Sequence, residues 1–374
     1  MAISRLQTVL TNVFNNIKSI GGRIDGVLVG AVVALLALSV VNLYGVGGID
    51  HSLVSRQAGL SLVAIAVMLV GSFVDYRALR NWTTPVVALY GGALVLVMAT
   101  LGFDAIRNIR AWIVLGSLQF EPSELMKVAL IVVLAKYFSQ RHVQSYQIRH
   151  VLASGLYAAV PMGIILIQPD LGSAMILGVL WAVILLAVGV DRKHLTALVL
   201  LGLVGMGAAW TWGLAPYQKD RILAFIDPYQ DPTGYGYHII QSKVAIGSGG
   251  LWGKGIGEGS QAMLGFLPEP YNDFAFASLA EQLGFAGVLL LLSLVVLVVW
   301  RIMRIGLNAR NNFAKLYCLG VATLIASHAI ISAGVNTGLL PITGIPFTFL
   351  SYGGSHLMSV ALSLSIVQSI NRYG

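Results

Sequence analysis

Phe274-Ala-Phe-Ala-Ser-Leu-Ala-Glu-Gln-Leu-Gly-Phe-Ala-Gly-Val-Leu-Leu-Leu-Leu-Ser-Leu-Val-Val-Leu-Val-Val-Trp300 decides the class of this protein. It is 27 residues long and holds one ionisable group, Glu281. A helix of about 20 apolar residues spans the hydrocarbon of a bilayer, so this stretch crosses with length to spare. The rest of the chain agrees. Of 374 residues 57% are hydrophobic and 10% charged, with mean hydropathy +0.82. A soluble domain carries about 25% charge, and this chain could not cover a surface in water. Soluble enzymes, disordered proteins and nucleic-acid binders are thereby excluded. The single cysteine, Cys318, lies in an apolar run and leaves no disulfide framework and no cysteine metal cluster.

Working outward, ten spans are predicted: Gly26–Gly45, Ala58–Val74, Pro85–Leu101, Pro122–Phe138, Val151–Ile167, Gly172–Val190, Leu195–Leu214, Phe274–Trp300, Ala314–Gly334 and Phe349–Ile370. With both termini in the cytoplasm, the inner segments hold 15 of the 23 basic residues against Asp25, Asp75 and Asp191. That asymmetry is what the positive-inside rule requires. The fold expected is all-α, one ten-span domain over residues 23–374, with residues 215–272 as a long external loop. Residues 1–22 precede it as an amphipathic interfacial helix. There Ile3, Leu6, Val9, Leu10, Val13, Phe14, Ile17 and Ile20 recur at three- and four-residue steps, as for a helix lying on the membrane surface.

Ionisable groups in or beside spans are expensive and mark function by default. In Glu121-Pro-Ser-Glu-Leu-Met-Lys127, Pro122 suits a first helical turn, and Glu124 and Lys127, three apart, share a face and can pair. They could equally be a structural pair. In Pro268-Glu-Pro-Tyr-Asn-Asp-Phe274, Asp273 stands at the mouth of the eighth span, either as a helix cap or as a carboxylate poised for general-base work. Glu281 lies two turns deeper and needs a partner or a proton. Asp170, in Gln168-Pro-Asp-Leu-Gly172, can cap the sixth span. Asn336 can cap or bind, and Ser351-Tyr-Gly-Gly-Ser355 opens the last span. The run Ile246-Gly-Ser-Gly-Gly-Leu-Trp-Gly-Lys-Gly-Ile-Gly-Glu-Gly259 departs from the phosphate-loop pattern in its spacing and reads as a flexible loop. Arg107, Arg110, Lys219, Arg221, Lys243 and Lys254 are the outer cations able to hold a pyrophosphate. No metal motif is found, and the seven histidines are scattered along the sequence.

Together these segments resemble the SEDS family of shape, elongation, division and sporulation proteins, on the side of its elongation branch. The resemblance rests on Trp112-Ile-Val-Leu-Gly116, Phe120-Glu-Pro-Ser-Glu-Leu-Met-Lys127, Gln168-Pro-Asp-Leu-Gly172, Gly247-Ser-Gly-Gly-Leu-Trp-Gly-Lys-Gly255, Gly259-Ser-Gln261, Phe266-Leu-Pro-Glu269, Asn272-Asp-Phe274, Gly344-Ile-Pro346 and Ser351-Tyr-Gly-Gly-Ser355, in the family's order. It implies a peptidoglycan glycosyltransferase that polymerises lipid II at the outer face of the bacterial cytoplasmic membrane. Its implied partners are a class B penicillin-binding protein and other membrane proteins of the elongation complex. It also implies that Asp273 is the essential aspartate, with Glu124 and Lys127 as the supporting pair. Arg107, Arg110, Asp170, Arg221, Lys243, Lys254, Glu281, Asn336, Ser351 and Ser355 are candidate substrate contacts. The chain departs from the family at Glu121, where Gln is common, at Asn272 for Thr, at Gln282 for the second Glu, and at Asn108-Ile109 for Gly-Ala. No cofactor is required by the sequence, although a divalent cation, Mg²⁺ or Mn²⁺, is a candidate helper at the pyrophosphate. A lipid II flippase and a non-catalytic scaffold are the rival readings.

Overall fold

A computed structural model describes residues 24–46, 51–103, 110–115, 118–140 and 148–374. The expected interfacial helix at residues 1–22 lies outside them. The helices, in chain order, are α1 (Gly26–Val46), α2 (His51–Gly71), α3 (Arg77–Asn81), α4 (Thr84–Ala99), α5 (Pro122–Ser139), α6 (Ile148–Ile167), α7 (Leu171–Val188), α8 (Arg192–Ala208), α9 (Pro216–Ile226), α10 (Tyr235–Ser248), α11 (Ser260–Met263), α12 (Ala275–Asn308), α13 (Asn312–Thr337) and α14 (Gly354–Tyr373). A short antiparallel hairpin, β1 (Ile113–Leu115) and β2 (Leu118–Phe120), pairs Ile113 with Phe120 just before α5.

Among the described residues, eight helices are long and apolar enough to cross a membrane: α1, α2, α4, α6, α7, α8, α12 and α13. The other two expected spans exist as helices of 18 and 20 residues, but are more polar. α5 carries Glu124, Lys127 and Lys136, all buried. α14 carries Ser355, Ser359, Ser363, Ser365 and Ser369, also buried. Both sit inside the bundle, α5 against α4, α6, α7, α13 and α14, and α14 against α2, α5, α12 and α13. A helix surrounded by protein can satisfy polar groups that lipid cannot, and so needs less apolarity than its neighbours.

Residues 215–272 are not the open loop expected from their glycines, prolines and tyrosines. They fold into α9, α10 and α11, with α10 packed on α12 and α13. The glycine-rich run is likewise built into the fold. α12 breaks at Gly284, whose φ of 64° and ψ of −163° are not helical. The break frees two carbonyls and two N–H groups at membrane depth, where each unpaired group costs several kcal/mol. The run supplies all four partners. Lys254 N–H donates to Glu281 O (2.9 Å) and Gly255 N–H to Gln282 O (3.1 Å), while Phe285 and Ala286 N–H donate to Gly250 O (2.9 Å) and Leu251 O (3.0 Å). Glycine is needed for so close an approach: a Cβ on Gly253 would lie 2.1 Å from Gln282 O, and one on Gly284 2.2 Å from Gly253 N.

Candidate functional site

Asp273 is the residue before the cap of α12. The cap itself is Phe274, without a side-chain hydrogen bond, so neither Asn272 nor Asp273 occupies the capping position that the sequence suggested. The capping is done from another helix. Asn336, fully buried near the end of α13, accepts at Oδ1 from Ala277 N–H (3.0 Å). Its Nδ2 donates to Asp273 O (2.8 Å) and Ser332 O (2.8 Å). It thereby satisfies one orphan donor of the first turn of α12 and pins the Asp273 carbonyl. The segment before α14 holds the same corner. Ser351 Oγ donates to Asn272 O (2.7 Å) and accepts from Phe347 N–H (2.9 Å), and Tyr352 N–H donates to Tyr271 O (2.8 Å). The Asp273 side chain, partly exposed, projects from a backbone fixed on two sides.

Four residues on, Ser355 Oγ receives Glu121 N–H (3.0 Å) and donates to Gln119 O (3.2 Å), which ties this corner to the start of α5. One turn in, the expected pair forms: Lys127 Nζ donates to Glu124 Oε1 at 2.7 Å, both side chains buried. Two histidines complete it, and here the sequence reading misses. His328 on α13 and His356 on α14 are not scattered but stacked, with centroids 4.4 Å apart. His356 Nδ1 meets Glu124 Oε2 (2.9 Å) and its Nε2 meets Thr348 Oγ1 (3.1 Å). His328 Nδ1 meets Pro346 O (3.1 Å) and its Nε2 meets Lys127 Nζ (3.4 Å). A carbonyl only accepts, so His328 carries its proton on Nδ1 and turns a lone pair to Lys127. Glu124, His328 and His356 offer ligand atoms all within 4.8 Å of one another. The Lys127 ammonium already takes the cation's place among them. Such a nitrogen-rich set also suits neither Mg²⁺ nor its preference for oxygen. The cost of a buried histidine in a span was the signal available in the sequence.

Beyond Glu121 the polar surface continues. Ser123 Oγ donates to Glu121 Oε1 (2.6 Å) and lies 3.3 Å from Ser173 Oγ. Asp170 caps α7, as expected, by accepting from Ser173 N–H (3.0 Å). Burial first, then the charges of Glu124 and Asp170, push the Glu121 carboxyl up to about 8. Tyr217 donates its hydroxyl to Pro169 O (3.2 Å), beside Asp170. Its ring and that of Tyr235 face the Arg221 guanidinium, at 5.6 and 5.2 Å. Arg221 Nε is buried without a hydrogen-bond partner among the described residues, a cation held in place with a donor to spare. His238, another residue the sequence did not single out, packs its ring 6.1 Å from Phe274 and links this group to the Asp273 corner. Burial, then Arg221, lowers its pKa.

The remaining candidates do other work. Glu281, fully buried, finds its partner in Lys254 (3.1 Å) and accepts from Gln261 N–H (2.9 Å) and Ala262 N–H (3.1 Å). It anchors the glycine-rich run instead of facing substrate. Lys243 is exposed, its methylenes against the Gly338 turn. Arg110 is exposed and its N–H reaches Gln168 O (3.4 Å). Arg107 lies outside the described residues. Ser351 and Ser355 serve the backbone in the contacts given above.

The architecture is that of a polytopic helical membrane protein with an ionic cluster buried among its helices. The family model of the FtsW, RodA and SpoVE cell cycle proteins matches residues 24–374, and the chain belongs to this family. It is 32% identical over 352 residues to the peptidoglycan glycosyltransferase MrdB of Escherichia coli strain K12, covering 94% of each chain. It is 36% identical over 361 residues to stage V sporulation protein E of Bacillus subtilis strain 168, covering 93% of this chain and 97% of that one. Among solved structures, one chain of a peptidoglycan synthase complex studied for its coordination of polymerization and crosslinking matches with a TM-score of 0.78 at 32% identity. That match covers 94% of this chain and 98% of that one. The rod shape determining protein RodA of Thermus thermophilus matches with a TM-score of 0.69 at 29% identity, covering 93% and 97%.

Proposed function

We propose that this protein is a peptidoglycan glycosyltransferase that polymerises lipid II, the undecaprenyl-pyrophosphate-linked disaccharide pentapeptide, at the outer face of the cytoplasmic membrane. Both termini would be inside. The observation that carries the reading is the Asp273 corner. Asn336 and Ser351 hold the backbone carbonyls of Asp273 and Asn272, so the partly exposed Asp273 carboxylate sits at a fixed corner, which Ser355 ties to the start of α5 and the His238 ring ties to the Arg221 group. Lipid II carries its sugar on an α-linked pyrophosphate, and a β-linked product requires one inverting displacement at C1. Asp273 takes the proton of the acceptor 4-hydroxyl, a contribution of about 10²–10⁴-fold. Lys127 and Arg221 offer positive charge to the departing pyrophosphate, and Glu124 with its two histidines orients Lys127. A divalent cation at the pyrophosphate would add to these groups, and chelation tests for it. The similarity to a chain of a synthase complex supports a transpeptidase partner, a class B penicillin-binding protein.

The flippase reading expects broken helices whose free backbone binds cargo or ions. α12 is broken, but its freed carbonyls and N–H groups are taken by residues 250–255, which favours the polymerase. The test is glycan polymerisation from purified lipid II by the complex co-purified with its transpeptidase. Wild type makes polymer, and Asp273→Asn, folded and partner-bound, loses at least about 100-fold of the rate. Polymer from Asp273→Asn at the wild-type rate overturns the assignment.

A further inference from the structure

Glu121 has no part in the mechanism above, yet its surroundings are unusual. Two carboxylates face it, Glu124 on its own helix and Asp170 in the turn between α6 and α7. Among the described residues the one cation that acts on it, Lys127, is bonded to Glu124. From α14 only the Ser355 hydroxyl reaches it, at the backbone N–H, with His356 turned to Glu124. Ser123 donates to Oε1 at 2.6 Å, and Oε2 has no partner among the described residues. A third anion here would be repelled by two others, with no cation of its own among the described residues. The stable form is a neutral acid with Oε1 accepting and Oε2–H free to donate.

We propose that Glu121 is the neutral hydrogen-bond donor of this site: its Oε2–H is offered to a phosphate oxygen of the lipid-linked sugar donor, and loss of that proton closes the site to the anionic substrate. Glu121 is a positioning residue, and the proposal rests on the glycosyltransferase reading for its kinetic consequence. With the carboxyl titrating at about 8, about nine-tenths is protonated at pH 7 and about one-tenth at pH 9. The sign is that activity is present below this value and lost above it.

Two measurements on the full complex separate the possibilities. The first is the polymerisation rate at pH 9 divided by that at pH 7. We expect about a tenfold fall for wild type and less than about twofold for Glu121→Gln, which keeps a neutral donor and cannot ionise. A purely structural role would leave the two pH profiles parallel, and parallel profiles overturn the proposal. The second needs no activity. Dicyclohexylcarbodiimide adds to protonated carboxyl groups in apolar surroundings, its imide nitrogen taking the acid proton as the carboxyl oxygen bonds to carbon. Peptide mass mapping should find Glu121 modified at pH 6.5 and the yield falling about tenfold by pH 9. Unmodified Glu121 at pH 6.5, or modification independent of pH, overturns the proposal. Labelling as expected in a wild-type complex that makes no polymer overturns only the glycosyltransferase reading.

Discussion

Asn336→Leu is the perturbation that tests the Asp273 corner most directly. Leucine is close in volume and apolar, so the helix packing survives, but the three side-chain hydrogen bonds go. Ala277 N–H loses its acceptor and Asp273 O its donor, both at a position where Asn336 is fully buried. Each orphaned group costs about 1–3 kcal/mol, so the corner loses about 2–6 kcal/mol of local stabilisation. Relaxation of the Asp273 backbone by about 1 Å lowers the rate about 100-fold, and the loss falls in kcat, because the base and not the lipid contact is displaced. Ser332→Ala, one turn away, is the control. Its hydroxyl is buried without a partner among the described residues, so its removal is near neutral. The assay is steady-state polymerisation of lipid II by the purified complex, with thermal unfolding in detergent read in parallel by tryptophan fluorescence. Asn336→Leu that folds, binds its transpeptidase and keeps kcat within threefold of wild type refutes the claim that Asn336 positions Asp273.

Gly253→Ala places a Cβ 2.1 Å from Gln282 O at a φ of +81°. It should separate the glycine-rich run from the break in α12, seen as loss of monodisperse protein on size exclusion; a well-behaved, active Gly253→Ala protein contradicts the account of the break. The Glu281 anchor can be tested by ranking two variants for thermal stability. Glu281→Leu strips the acceptor from two backbone N–H groups, costing about 2–6 kcal/mol. Lys254→Met removes only a partner that is 31% exposed, costing about 1 kcal/mol after solvent screening. The reverse ranking shows that the ion pair, and not the backbone contacts, is what matters.

The sequence by itself determined the class of fold and where most of the chain crosses. A span is a local property: its own apolar length meets the bilayer and its hydrogen bonds close within four residues, so α1, α4, α7 and α12 are legible one at a time. The Glu124–Lys127 pair is legible for the same reason, since a three-residue step fixes a face. The motif order identified the family. What the sequence left open were partnerships set by packing. Glu281 finds Lys254 27 residues back, Asn336 holds Asp273 across 63, and His356 reaches Glu124 across 232. The glycine-rich run reads as a flexible loop because its backbone partners belong to another helix. The free energy of a buried polar group depends on what lies within hydrogen-bond reach of it, and only the folded bundle decides which helix ends meet.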